Sequence, residues 1–278
     1  DGANATLNSA IYLDPRDLYL RSASEIGILK LGKILSSIDD IKKVTEEEKA
    51  QFRETLKGAV LMAQEAVKKD PQNPDNWMQL GRIYEAILPF DEKGIKDALI
   101  FAYSESFRVS PRDPRPLLAL ARVENQIGSE DKAIAYLDEA IKIKKDFTPA
   151  YIMRADIKVA DGRITDAIAG LENAVAQNVG SPDNAFIVLY IGAIYYKNGD
   201  IESAQDIFEK LILMNPNNVD ARYLLALVYD KKQMTTKAIE QFEAINKIIP
   251  NNDVVVSALR NLQNGLRVSG ETIPLPEP

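Results

Sequence analysis

Apolar and small residues in this chain fall on stripes that recur at a fixed interval. In the segment running from Lys132 to Ala140, residues Ala133, Leu137 and Ala140 stand four and then three positions apart, which places them on one face of a helix. The same spacing returns at Ala167, Leu171 and Ala174, at Ala204, Phe208 and Leu211, and at Ala238, Phe242 and Ile245. Upstream it is met by Ala59, Ala63 and Ala66 and, with a less regular surround, by Leu99, Tyr103 and Ser106. Between most neighbouring stripes the interval is about 34 residues, the length of one helix–turn–helix unit. Five residues after each stripe comes a stop: Pro71, Pro111, Pro216 and Pro250, with Lys145 and Val179 in the two remaining places. A proline there has no N–H to continue the helix and forces a turn.

A second periodic run precedes each stripe, with a large residue, a leucine-type residue, a small residue and an aromatic in sequence. It reads Trp77, Leu80, Gly81 and Tyr84, then Leu117, Leu120 and Ala121, then Tyr151 and Ala155. Further on come Val188, Ile191, Gly192 and Tyr195, and then Leu225, Ala226 and Tyr229. Small residues at the third place predict that the two helices of a pair touch backbone to backbone. Gly128, Gly162 and Gly199 sit between paired runs, where a left-handed residue ends a helix.

Trp77-x2-Leu80-Gly81-x2-Tyr84 followed by the proline stop at Pro111 resembles the tetratricopeptide repeat pattern, and the likeness covers about residues 46–250. It implies an all-α, right-handed α-solenoid of helix–turn–helix repeats with an irregular N-terminal helical pair and a single C-terminal helix. The expected organisation is an extended segment over 1–15, a divergent helical pair over 16–72, five repeats over 73–250, a helix over 251–266 and an extended proline-rich segment over 267–278. Extra residues near Leu88-Pro89-Phe90-Asp91 predict a widened loop in the first repeat, and Val179-Gly180-Ser181 delays the fourth.

Composition narrows the chemistry. The chain has neither cysteine nor histidine, which removes thiol nucleophiles, disulfides, Cys/His zinc sites and every histidine general base. A net charge of −7 without a dense Lys/Arg block argues against nucleic acid. No phosphate-cradling or dinucleotide-binding glycine loop is present. The acidic clusters Asp39-Asp40 and Glu46-Glu47-Glu48 read as a helix end and a helix start, where negative charge meets the positive end of the helix dipole. No apolar run is long enough to span a membrane. The expectation is a non-enzymatic protein without cofactor whose partners are other protein chains.

The resemblance implies a concave groove lined by the first helix of each pair. By position, its first row is Met78, Leu118, Ile152, Leu189 and Tyr223. The second row is Arg82, Arg122, Asp156, Ala193 and Leu227, with Phe186, Tyr196 and Val159 extending the surface. An aligned apolar row facing water marks a binding surface for an apolar extended segment. The alternative is that each residue is half-covered by the neighbouring repeat.

The ends carry a second expectation. Ala10 and Pro15 are spaced as Ala66 and Pro71 are, so the chain opens like the close of a second helix. Residues 253–266, with Val256 and Leu259, read like a first helix lacking its second. Ile11, Tyr12 and Leu13 at one end and Val256, Leu259, Ile273 and Leu275 at the other are therefore candidate assembly residues for head-to-tail homo-oligomers or filaments. A monomeric adaptor, or the soluble part of a membrane-anchored bacterial protein, are the alternatives. The start at Asp1 suggests processing and an extracytoplasmic or extracellular setting, and Asn4-Ala5-Thr6 is a glycosylation triplet.

Overall fold

The computed structural model describes residues 7, 9–12, 16–36, 45–88 and 94–268. Among them the helices are α1 Asp17–Ser36, α2 Glu46–Lys69, α3 Pro74–Ile87, α4 Ile95–Val109, α5 Arg115–Gln126, α6 Glu130–Ile143, α7 Thr148–Ala160, α8 Ile164–Gln177, α9 Asn184–Lys197, α10 Ile201–Met214, α11 Val219–Lys231, α12 Thr235–Ile248 and α13 Asp253–Gln263. Residues 7 and 9–12, within the stretch expected to be extended, are also helical. The widened loop expected after Leu88 falls on 89–93, outside the described residues, as do Asn4, Leu13, Ile273 and Leu275.

The stops act through the residue two places beyond them. Asn73, Asn218 and Asn252 follow Pro71, Pro216 and Pro250, and each caps the next helix by accepting from a backbone N–H of its first turn. One motif therefore ends a helix and starts the next. At α2 the start is a capping box, with Thr45 accepting from Glu48 N–H and Glu48 accepting from Thr45 N–H. Between paired helices Gly128, Gly162 and Gly199 have φ of 80°, 76° and 87°, and in the last pair Gln233 takes the same turn at 61°.

The chain forms two compact units, residues 1–144 and 145–278. In the first, α1 packs on α2, α3 on α4 and α5 on α6, and α2 and α4 each pack on the helix that follows. The small third position is a socket for a ring rather than a place where two backbones touch. Gly81 faces the Tyr103 ring, and a Cβ there would collide with it. The aromatic fourth position clasps backwards: Tyr84 Oη accepts from Gln64 Nε2 of α2 at 3.1 Å.

α1 joins this unit through a polar seam that periodicity does not reveal. Asn76, fully buried, donates from Nδ2 to Asp17 Oδ2 (3.1 Å) and to the backbone oxygens of Ala66 (3.1 Å) and Asp70 (3.0 Å). Its Oδ1 accepts from Arg21 at 2.9 Å, and Gln79 Nε2 donates to Ser24 Oγ at 3.2 Å. Desolvation pushes the Asp17 carboxyl up. The hydrogen bonds from Asn76, Asn73 and the Leu18 backbone, with the Arg21 charge, outweigh it and leave the group below the usual carboxylate range.

In the second unit α7 packs on α8, α9 on α10 and α11 on α12, and α13 closes on α12. One apolar cluster runs from α9 to α13 and includes Ala193, Phe208, Leu225, Phe242, Val255 and Leu262. The ring-in-socket contact repeats, with Phe208 against Gly192. The backward clasp repeats as Tyr229 Oη donating to Glu209 Oε1 of α10 at 2.8 Å. Burial, and then Glu209, push the Tyr229 phenol up to about 12.

Candidate interaction face

α9 packs against both α7 and α11, so the first helices of the second unit stand side by side. Their shared face contains the residues expected to line a groove. The aliphatic row is not open to water: Ile152, Leu189 and Leu227 are 5%, 3% and 5% exposed, and in the first unit Met78 is 6% exposed. This corrects the expectation for those four side chains. Leu189 and Leu227 belong to the core cluster, and Tyr196 and Tyr223 pack over its edge. In the second unit neighbouring first helices approach closely enough to take Ile152, Leu189 and Leu227 between them, and these residues form a floor.

Above that floor, Phe186, Tyr196 and Tyr223 are half-buried. Phe186 stacks on Tyr190 with ring centroids 6.4 Å apart and 28° between planes. Tyr223 meets Phe242 edge-on at 5.7 Å. The Lys231 ammonium lies 4.8 Å from the Tyr196 ring centroid, a cation–π contact. Burial pushes the Tyr196 phenol up, Asp230 adds to it, and Arg267 opposes it. Tyr190 donates its hydroxyl to Asp156, and desolvation of that carboxyl raises it although the residue as a whole is exposed.

The corresponding residues of the first unit differ in kind. Arg82 and Arg122 are exposed and Leu118 is half-buried. Arg122 Nε stands 3.1 Å from Glu85 Oε1, and Tyr103 Oη donates to Glu85 Oε2 at 2.5 Å. Desolvation and the Glu85 charge hold the Tyr103 phenol far above its ordinary value. Arg122 is thus engaged in a local network. Sequence reading missed this network, the Tyr190–Asp156 bond and the Lys231–Tyr196 contact. The one signal available was the occurrence of tyrosines next to positions reserved for packing.

Of the candidate assembly residues, Ile11 is half-buried and Tyr12 is 89% exposed. On α13, Val256 is 37% exposed, beside Val254 at 58%, while Leu259 packs partly into the cluster. After α13 the chain turns back: Val268 N–H donates to Asp230 Oδ2 at 3.3 Å and its side chain packs against the same cluster.

Tetratricopeptide repeat family models match residues 114–147, 152–204 and 195–262, together just over half of the chain. Among curated proteins the chain is similar to the Protein CTR9 homolog of Arabidopsis thaliana, 23% identical over 126 residues, 45% of this chain and 11% of that protein. It is also similar to the Photosystem I assembly protein Ycf3 of Acaryochloris marina, 28% identical over 124 residues, 40% of this chain and 71% of that one. Among solved structures it resembles yeast Tom70 with a TM-score of 0.60, at 15% identity over 95% of this chain and 49% of the other. A tetratricopeptide repeat protein from Parabacteroides merdae gives 0.54 at 13% identity, covering 94% and 91%. These likenesses establish the fold, an all-α solenoid of helix pairs. Among the described residues no helix is long and apolar enough to cross a membrane.

Proposed function

The chain belongs to the tetratricopeptide repeat family, whose members are generally protein–protein interaction modules without catalysis, and we propose that it is a non-enzymatic adaptor that holds an extended segment of another protein on the face of α7, α9 and α11. The observation that carries this is the half-buried set Phe186, Tyr196 and Tyr223 over a closed aliphatic floor. Rings held in place by stacking and cation–π contact lose little freedom when a ligand lies on them, so contact with them is gained at low entropic cost. The ligand chemistry that fits is an apolar, extended segment with carboxylates near Lys231 and Lys197. Likeness to a protein named for photosystem I assembly supports a role in bringing other chains together.

A photoreactive benzoylphenylalanine at position 196, compared with one at the exposed Phe101 of α4, tests the site. In extract of the source cells, a defined cross-linked protein is expected from position 196 and not from 101. Tyr196→Ala with Tyr223→Ala should abolish partner binding with helix content retained. Equal capture at both positions, or binding unchanged by the double substitution, rejects the face.

Head-to-tail self-assembly is the second reading, favoured by the exposed Val254, Val256 and Leu266 (60%) at the α13 end. Light scattering during size exclusion over a wide concentration range decides it. A mass that stays monomeric at high concentration removes this reading.

A further inference from the structure

The helical pair that opens the first unit is longer than the pair it packs on. α1 and α2 have 20 and 24 residues, against 14 and 15 in α3 and α4. Aligning the stripes Ala59-Ala63-Ala66 and Leu99-Tyr103-Ser106 sets Thr55 level with Ile95, so residues 46–54 of α2 run on beyond the start of α4. At about 1.5 Å per residue α2 is about 36 Å long and α4 about 22 Å. α3 packs on both helices, and where α4 begins a groove of about 580 Å³ opens between α2 and α4 over the last turns of α3.

Its lining divides into an apolar floor and a basic rim. Leu56 and Val60 of α2, Tyr84 and Ile87 of α3 and Ile95 of α4 form the floor, all of them buried or half-buried. The Gln64–Tyr84 hydrogen bond, 3.1 Å long, ties α2 to α3 within it. Leu61, 47% exposed, stands on the rim. So do Arg53 and Lys57, both exposed and one helical turn apart. Among the described residues no carboxylate lines the groove. Glu54 lines the cleft on the other side of α2, against α1, and Glu46 is bridged to Lys49 at 2.7 Å. Two exposed cations beside open apolar surface are complementary to a partner that is both acidic and apolar.

We propose that this groove receives an amphipathic helix of another protein, with carboxylates one turn apart beside its apolar stripe. The site is separate from the face of α7, α9 and α11 and gives the first unit a partner surface of its own. Helices lying along one another share a repeat of about 5.4 Å per turn, so cations at positions 53 and 57 meet carboxylates spaced i and i+4 on the guest. The guest's apolar residues at i, i+3 and i+7 then lie over the floor, the arrangement by which helices dock in grooves. A small apolar ligand fits less well, because such ligands are held where most of their surface is enclosed and this groove is open on one side.

The probe is a fluorescein-labelled helical peptide of about 18 residues, long enough to hold its helix, with a leucine stripe and two glutamates one turn apart. It is titrated against the full chain by fluorescence anisotropy, beside the same peptide with lysines in place of the glutamates. Exposed ion pairs are individually weak, and exchanging two attractions for two repulsions should favour the glutamate peptide about tenfold. That preference should shrink in about 1 M salt, where the screening length falls to about 3 Å. Arg53→Glu with Lys57→Glu should reverse it, and Leu61→Ser should weaken binding of both peptides. If the charge-reversed chain loses helix content, Arg53→Gln with Lys57→Gln takes its place and should bind the two peptides equally. Tyr196→Ala with Tyr223→Ala should leave these affinities unchanged, so this site and the adaptor face stand or fall separately. Equal binding of the two peptides by the parent chain, or binding of neither, overturns the proposal. Palmitate bound more tightly than the glutamate peptide would give the groove to an anionic lipid. A dimer mass in light scattering that Arg53→Glu with Lys57→Glu returns to monomer would give it to a second copy. Either result also overturns it.

Discussion

Gly192→Ala and Gly170→Ala are the same change in the middle of two helices of the second unit, and the structure gives them opposite signs. Alanine is preferred to glycine in a helix interior by about 1 kcal/mol, so with no other effect both variants gain stability. At position 192 a Cβ would stand 2.5 Å from Phe208 Cε1, 2.9 Å from its Cζ and 3.0 Å from Ile207 Cγ2. Carbon atoms rest about 3.5–4.0 Å apart, so the ring must retreat by about 1 Å. Phe208 is 0% exposed and enclosed by the core cluster, so the ring can retreat only against buried neighbours. Overpacking a closed core costs about 1–3 kcal/mol, and the fixed ring puts this site in the upper half of that range. The balance is a loss of about 1–2 kcal/mol. At position 170 the nearest atom is Arg154 Nη2 at 3.7 Å, the far end of a flexible side chain. There the helix preference stands alone, and a gain of about 0.5–1 kcal/mol is expected. Urea unfolding followed by helical circular dichroism measures both, with unchanged slopes as the sign that the denatured state is unaffected. Phe208→Leu should partly rescue Gly192→Ala, because the two changes share one socket. If Gly192→Ala is as stable as the parent, the ring-in-socket account of the helix pair is wrong.

Asn76→Ala removes the donor shared by Asp17 and two carbonyls and the acceptor of the Arg21 guanidinium, so a loss of about 3 kcal/mol is expected in the same unfolding assay. A loss under about 1 kcal/mol would show that the seam does not hold α1. Gln233→Gly should raise stability by about 0.5–1 kcal/mol, since Gln233 pays for a left-handed backbone that glycine adopts freely; a melting temperature that falls would refute this. The Tyr229 phenol, pushed up to about 12, contributes stability that is complete below the ordinary tyrosine value near 10 and is lost as pH rises through about 12. Tyr103 and Tyr190 are raised in the same sense. Absorbance at 295 nm should therefore show fewer than eleven tyrosinates at pH 11 while the helices persist. Ionisation of all eleven in the folded chain would contradict the burial of these phenols.

The helix pairs were legible because each repeat writes the same instruction twice, once as an apolar stripe and once as a stop. Ala167, Leu171 and Ala174 are buried where the stripe puts them, and Asn73, Asn218 and Asn252 cap where the prolines end the preceding helix. The last turn shows where the code loosens. Gln233 does the work of Gly199, because the surrounding hydrogen bonds from Gln233 N–H to Asp230 and from Met234 N–H to Tyr229 force the left-handed turn without the residue that suits it. The docking of α1 on α3 was not legible, since periodicity records apolar contact and this one runs through Asp17, Arg21, Ser24, Asn76 and Gln79.

The interaction face was only half legible, and the reason is geometric. A first helix meets two neighbours, its own second helix and the first helices beside it. Sequence reports the first contact through the small-residue socket, because only glycine or alanine fits there. It cannot report the second, because an aliphatic residue suits a position between helices and a position open to a ligand equally well. Leu189 and Tyr223 occupy equivalent places, yet Leu189 is 3% exposed and Tyr223 remains half-buried. Leu118, in the same row, is also half-buried, so residue type does not settle the matter, and the helices that flank each position do. On the proposed adaptor reading the residues that meet the ligand are Phe186, Tyr196, Tyr223 and Lys231, whose ring and cation–π contacts hold them over the aliphatic residues beneath.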